Sequence, residues 1–162
     1  MNKEALYPIY IDNLSWSFDE KQVLKDIVLN FKKNKFYSII GPNGSGKTTL
    51  IKNIAKSLEP QKKSIYIGEK DICSIKNKEL ARQLSYVSQN TILDLDFLAL
   101  DIVLMGRAPY LNRFQVESEE DITIVRNSME ATNTWQLKDK PINKLSGGEQ
   151  QRIMIARALA QN

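Results

Sequence analysis

FYSIIGPNGSGKTTLIKNIAKSL, running from Phe36 to Leu58, decides the fold. Phe36 to Ile40 is a short apolar run that ends at a glycine, the pattern of a buried parallel strand. Gly41-Pro42-Asn43-Gly44-Ser45-Gly46-Lys47-Thr48 fits G-x-x-x-x-G-K-[ST]. From Lys47 to Leu58 the apolar residues Leu50, Ile51, Ile54 and Leu58 recur at helical spacing, and Pro60 closes the segment. Strand, glycine loop and helix together form the setting in which this motif cradles the phosphates of a nucleoside triphosphate. The glycines at 41, 44 and 46 let backbone N–H groups turn inward without a Cβ in the way. Asn43 and Ser45 complete the loop, and the helix N-terminus adds its positive end. Lys47 would reach the β- and γ-phosphate oxygens, Thr48 would ligate Mg²⁺ through its hydroxyl, and Thr49 would donate to the α-phosphate. The motif alone does not separate ATP from GTP.

Working outward, Ile9 to Phe18 and Val23 to Phe31 both alternate apolar and polar residues. They read as a hairpin, with Asp19 to Lys21 as its turn and a second turn at Asn34 and Lys35. Ser64 to Gly68 and Leu84 to Val87 read as further strands, with a short helix within Lys76 to Leu84. Phe97 to Gly106 and Ser118 to Thr134 read as helices. In the second, Ser118 with Asp121 makes a capping box, and Ile122, Val125 and Met129 share a face. A last helix starts near Ser146. Antiparallel strands, then strand–loop–helix units, then a helical insert give an α/β chain with a predominantly parallel core sheet.

Roughly a hundred residues beyond the phosphate loop, Leu145 to Arg152 reads LSGGEQQR. Ser146 and Glu149 form another capping box, which by itself would only start a helix. A capping box needs no paired glycines, however, and Gly147 and Gly148 each cost about 1 kcal/mol of helix propensity relative to alanine. That cost makes sense where bare backbone N–H groups must approach an anion. A serine hydroxyl, two glycine amides and a helix dipole make a second phosphate site from Ser146, Gly147, Gly148 and Glu149.

Taken together, the two motifs in this order resemble the ATP-binding subunit of an ABC transporter, and the resemblance covers essentially the whole chain. It implies a P-loop nucleoside triphosphatase fold with an N-terminal antiparallel β subdomain and a helical insert. The nucleotide-binding core would occupy 1–91, the helical subdomain 92–143, and the signature loop with its helix 144–162. It also implies ATP and Mg²⁺ as ligands, with Phe18 stacking on adenine. Gln89, in SYVSQ, falls at the position that senses Mg²⁺ and the γ-phosphate and hinges the insert. Ser88 stands where the family often has proline, and Asn34 replaces a common turn glycine. Asp101 to Leu111, DIVLMGRAPYL, with the following RFQVESEED and the later DKPINKLSGGE, is similar to subunits that serve iron–siderophore, haem or cobalamin importers. The implied partners are a second ATP-binding subunit in a head-to-tail homodimer, membrane-spanning permease subunits and, indirectly, a substrate-binding protein. The implied location is the cytoplasmic face of the cell membrane, as a peripheral subunit.

Composition narrows the remaining classes. The 162 residues are the length of one domain, and 42% hydrophobic with 26% charged residues is ordinary for a globular chain. A net charge of +4 without a dominant basic run gives little support to nucleic acid as a partner. Lys32, Lys33 and Lys35 read as a solvated turn. Cys73 is the single cysteine, which excludes an intrachain disulfide and fits a reducing compartment. There is no histidine, so a His metal site, a His base and a Ser-His-Asp triad are all excluded. The N-terminal MNKEALYPIYI does not read as a secretory leader. Phe97 to Met105, the longest apolar stretch, is interrupted by Asp101 and too short to span a bilayer, so a membrane link would come through a partner.

In the family an apolar strand ending in Asp-Glu follows the position of ARALAQ, and then a D-loop and a switch histidine. The expectation is that these lie beyond Asn162 and that the catalytic Glu is absent from this chain. Hydrolysis would then be slow or absent, and Ile153, Ile155, Ala158 and Leu159 would lack part of their packing surface. Two other readings stay open: a soluble ABC-type ATPase not linked to transport, and a non-hydrolysing nucleotide-binding module.

Overall fold

A computed structural model describes residues 8–89, 96–113 and 115–161. Ile92, where the helical insert is expected to begin, and Phe114 lie outside these residues. The chain divides into two units, 1–77 and 78–162.

The first unit is built on the expected hairpin. β1 (Ile9–Phe18) pairs antiparallel with β2 (Lys21–Phe31), and β1 also pairs antiparallel with β3 (Ile65–Ile67). β4 (Lys70–Asp71) closes a sheet of order β2-β1-β3-β4. Ile11, Leu14, Leu24 and Ile65 face the core, each buried; a register shift between Ile11 and Leu14, with Asn13 at φ +54°, brings both β1 residues inward although they stand three apart. α1 (Lys47–Ile54) follows the glycine loop and buries Leu50 and Asn53, while Ile51 stays exposed.

Here the structure departs from the sequence reading. Phe36 to Ile40 forms no strand; Phe36 is 94% exposed and Ile40 89%. Tyr37 instead folds back, its hydroxyl accepting from the Lys32 amide at 2.8 Å and its ring meeting Phe31 edge-on. Leu84 to Val87 is half-buried but likewise outside any strand. The physical reason is pairing. An apolar run becomes a parallel strand only between neighbours that supply its ladder hydrogen bonds. Among the described residues every strand pairing is antiparallel, and none reaches 36–40.

The second unit is helical. After the short α2 (Asn77–Leu80), three helices enclose one core: α3 (Ala99–Leu104), α4 (Glu119–Ala131) and α5 (Gly147–Ala160). Ala99, Ile102 and Val103 from α3, Val125 and Met129 from α4, and Ile153, Ala156 and Ala160 from α5 are among its buried members. The i, i+3, i+4, i+7 spacing of these residues is what makes each helix amphipathic. α4 is rotated from the face read in the sequence: Ile122 is exposed and Asp121 is buried in its place. In α5, Ile153 is fully packed, whereas Ile155 and Leu159 are exposed.

Candidate functional site

The phosphate loop lies between β2 and α1. Gly44 and Gly46 have φ of +80° and +87°, left-handed values that favour glycine. Gly46 is constrained twice, since a Cβ there would sit 2.9 Å from Leu24 Cδ2 and 3.1 Å from the Val23 carbonyl oxygen. The loop is thus seated directly on β2. Gly46 is also the N-cap of α1 and supplies no side-chain oxygen, and the first turn of the helix carries no acidic residue. The first N–H groups of a helix have no intrahelical partner. With neither a capping oxygen nor a carboxylate beside them, those of α1 suit an anion.

Lys47 arches back over the loop. Its Nζ donates to the carbonyls of Gly41 at 2.9 Å and Pro42 at 2.7 Å, and to Ser45 Oγ at 3.5 Å. The ammonium is therefore held at the lip by weakly competing acceptors, and phosphate oxygens would form stronger, charge-assisted bonds with it. Thr48 and Thr49 occupy the first turn of α1, Thr48 exposed and Thr49 half-buried. Asn43 is exposed on the loop. This donor set fits a triphosphate, and the Thr48 hydroxyl is a hard oxygen of the kind Mg²⁺ selects. Beside the loop lies an apolar cleft of about 310 Å³, lined by Leu24, Ile27, Ile39, Ile40 and Leu50 together with loop residues.

Phe18 ends β1 at the hairpin turn, opposite Lys21, with its ring half exposed and edge-on to Trp16. Trp16 pairs with Leu24, the residue that touches Gly46, so Phe18 belongs to the loop end of the hairpin.

In the second unit Ser146 is the N-cap of α5. Ser146 Oγ donates to Glu149 Oε2 at 2.6 Å, the Ser146 amide donates to the same oxygen at 2.8 Å, and Oγ accepts from the Glu149 amide at 3.4 Å. These bonds from Ser146 lower the Glu149 pKa from the usual carboxylate value. Added Cβ atoms at Gly147 and Gly148 would meet open space or, at 4.0 Å, only the end of Arg152. Packing does not require these glycines, and they stand at the helix N-terminus where amides lack intrahelical partners. Gln89 is exposed in a bend at the edge of the described residues.

Sequence reading missed a buried polar cluster in this unit. Arg107 Nε donates to Asp121 Oδ1 at 2.8 Å, with both side chains at least nine-tenths buried. Hydrogen bonds from Ser118 and then from Arg107 bring the Asp121 pKa down to about 2. The one signal for it in the sequence is Asp121 itself, which the local pattern marks only as the cap partner of Ser118.

Residues 24–162 match the ABC transporter family. A probable iron chelatin transport ATP-binding protein of Helicobacter pylori is 38% identical over 152 residues, covering 93% of this chain and 60% of the relative. A manganese transport system ATP-binding protein of Bacillus subtilis is 35% identical, covering 97% of this chain and 62% of the relative. The chain spans between about half and three-fifths of the length of such curated relatives. Among solved structures, cbiO1 of Clostridium perfringens, part of the ABC transporter complex cbiONQ, superposes with a TM-score of 0.78 at 28% identity, covering 96% of this chain and 62% of that one. The P-loop α/β fold class stands on that likeness even though the described strands pair only antiparallel. With a glycine loop seated on a hairpin, an uncapped helix behind it and a serine–glycine–glycine helix start in the second unit, the chain belongs to the ABC transporter family.

Proposed function

We propose that this chain is the nucleotide-binding part of a subunit that couples ATP binding and hydrolysis to import of an iron complex or related metal chelate through a membrane permease. The observation that carries the reading is the presence of two glycine-bearing helix N-termini: that of α1 has no capping oxygen and no acidic residue in its first turn, and that of α5 carries two glycines that packing does not require. One opens α1 beside Lys47, and the other opens α5 beside Ser146.

In this reading Lys47 exchanges the Gly41 and Pro42 carbonyls for β- and γ-phosphate oxygens, while the amides of Gly44 to Thr49 hold the remaining phosphate charge. Thr48 and Gln89 hold Mg²⁺, which when bound neutralises phosphate charge. Phe18 stacks on adenine. Ser146, Gly147 and Gly148 close on the γ-phosphate held by a second copy, giving a two-fold homodimer with two sandwiched nucleotides. Closure swings the helical subdomain (92–143) with Gln89 and moves the permease. The subunit sits at the cytoplasmic face of the membrane, and the substrate-binding protein is reached only through the permease. The relatives' names support metal cargo, and the Helicobacter relative supports the chelate.

The test is ATP-dependent uptake by the protein reconstituted with its permease, with ferric siderophore and Mn²⁺ offered separately. Uptake of the ferric complex that is lost in Lys47→Ala supports the reading. Uptake of Mn²⁺ alone would refute the chelate, and uptake of neither would refute transport of this class.

A further inference from the structure

Met105 to Tyr110, MGRAPY, touches none of the expected nucleotide contacts, yet it is built around the C-terminal end of α5. Gly106 allows the backbones to meet: a Cβ there would lie 2.5 Å from the Arg157 carbonyl oxygen and 3.4 Å from Ala160 Cβ. Arg107, only 7% exposed, donates from Nη1 to the Ala160 carbonyl at 2.8 Å and from Nε to Asp121 at the first turn of α4. The Tyr110 hydroxyl donates to the Gln161 carbonyl at 3.0 Å, and its ring lies 4.0 Å from the Arg107 guanidinium carbon. Gln161 Nε2 then donates to the carbonyls of Ala81 at 2.7 Å and Leu84 at 3.1 Å, in the segment that leads to Gln89.

The last carbonyls of a helix lack intrahelical donors and carry the negative end of its dipole. Here two consecutive ones are bonded by side chains from a segment about fifty residues away in sequence. A buried guanidinium is costly unless it is paired and hydrogen-bonded, and Arg107 joins two helices through Nε and Nη1. α5 has fourteen residues, so the rod is about 21 Å long, with Ser146 to Glu149 at its far end. A tilt of about 5° at the clamped end would move the far end by roughly 2 Å. Misplacement of ~1 Å at a reacting centre can cost about a hundredfold.

We propose that Arg107 is a positioning residue for the Ser146–Glu149 loop. It pins the C-terminal end of α5 to the start of α4, and Gln161 joins that junction to the segment before Gln89. The signature loop and the Gln89 segment are therefore carried on one lever. The proposal rests on the functional reading above, in which Ser146 to Gly148 meet a nucleotide held by a second copy.

The experiment uses the protein as its gene encodes it and the non-hydrolysable analogue adenylyl imidodiphosphate. Binding of the analogue by monomer at high dilution is compared with analogue-dependent dimerisation by sedimentation. Arg107→Lys keeps the charge and loses the fork. It should leave monomer affinity within about twofold and weaken dimerisation tenfold or more. Tyr110→Phe removes one hydroxyl and retains the ring, which keeps the test alive if Arg107→Lys does not fold. It should weaken dimerisation about threefold with monomer affinity unchanged. Dimerisation equal to wild type in the folded variants would overturn the proposal alone, as would equal loss of binding and dimerisation. A wild-type protein that never dimerises with the analogue would overturn the functional reading and the proposal with it.

Discussion

Replacing Gly46 by alanine tests whether the phosphate loop is held by close contact with β2 as well as by its backbone conformation. At φ +87° a Cβ costs about 1–2 kcal/mol. The added methyl would also stand 2.9 Å from Leu24 Cδ2 and 3.1 Å from the Val23 carbonyl oxygen. The leucine methyl can rotate away, but the carbonyl belongs to a paired strand and cannot yield without disturbing the hairpin. Such overpacking costs about 1–3 kcal/mol. Alanine stiffens the unfolded chain and returns about 0.4–1 kcal/mol, which leaves a net loss of about 1–5 kcal/mol. Gly44→Ala is the internal control. Its φ is +80°, but a Cβ there meets nothing within 4 Å, so only the conformational cost of about 1 kcal/mol remains. Urea unfolding followed by Trp16 fluorescence measures both. Trp16 pairs with Leu24 and so reports on the unit that holds the loop, and Trp135→Phe silences the other indole. With a slope of about 1–3 kcal/mol per molar urea, the Gly46 variant should unfold roughly 1 M earlier than wild type. If the two alanine variants agree within about 0.5 kcal/mol, the contact with β2 contributes nothing and the reasoning fails.

Three further perturbations separate binding from stability. Lys47→Ala removes an ammonium bonded only to exposed loop atoms, so stability should change little. Titration with a fluorescent ATP analogue should show affinity falling about 10- to 100-fold, the worth of a charge-assisted bond. Gly147→Ala meets open space at a helix start, so thermal unfolding should be unchanged or up to ~1 kcal/mol more stable while analogue-dependent dimerisation falls. Greater stability with undiminished dimerisation would remove the reason for that glycine. Asp121 has a folded pKa of about 2, below its ordinary 3.8. Its contribution, on the order of 2 kcal/mol, is therefore complete above about pH 4 and lost as pH falls from 4 to 2. Asp121→Asn should lower stability at pH 7 and flatten the acid limb of a stability-versus-pH curve in that window.

The amino-acid order alone determined what depends on neighbours within a few residues. The β1–β2 hairpin follows from alternation on either side of a short polar turn, and α1, α4 and α5 follow from helical spacing with local starts. The Ser118–Asp121 and Ser146–Glu149 boxes were legible because each closes within one helical turn. The glycines at 44 and 46 were legible as a loop because the motif encodes their left-handed backbone. Only the tertiary structure decided what needs a distant partner. Phe36 to Ile40 and Leu84 to Val87 have strand-like composition, but a strand is completed by another strand's hydrogen bonds, and composition does not supply one. Ile122 was expected inward beside Val125, yet Asp121 takes the buried position because Arg107, fourteen residues earlier, brings it a guanidinium. The capping of α5 by Arg107 and Tyr110 spans more than fifty residues, a separation at which no local pattern records the contact.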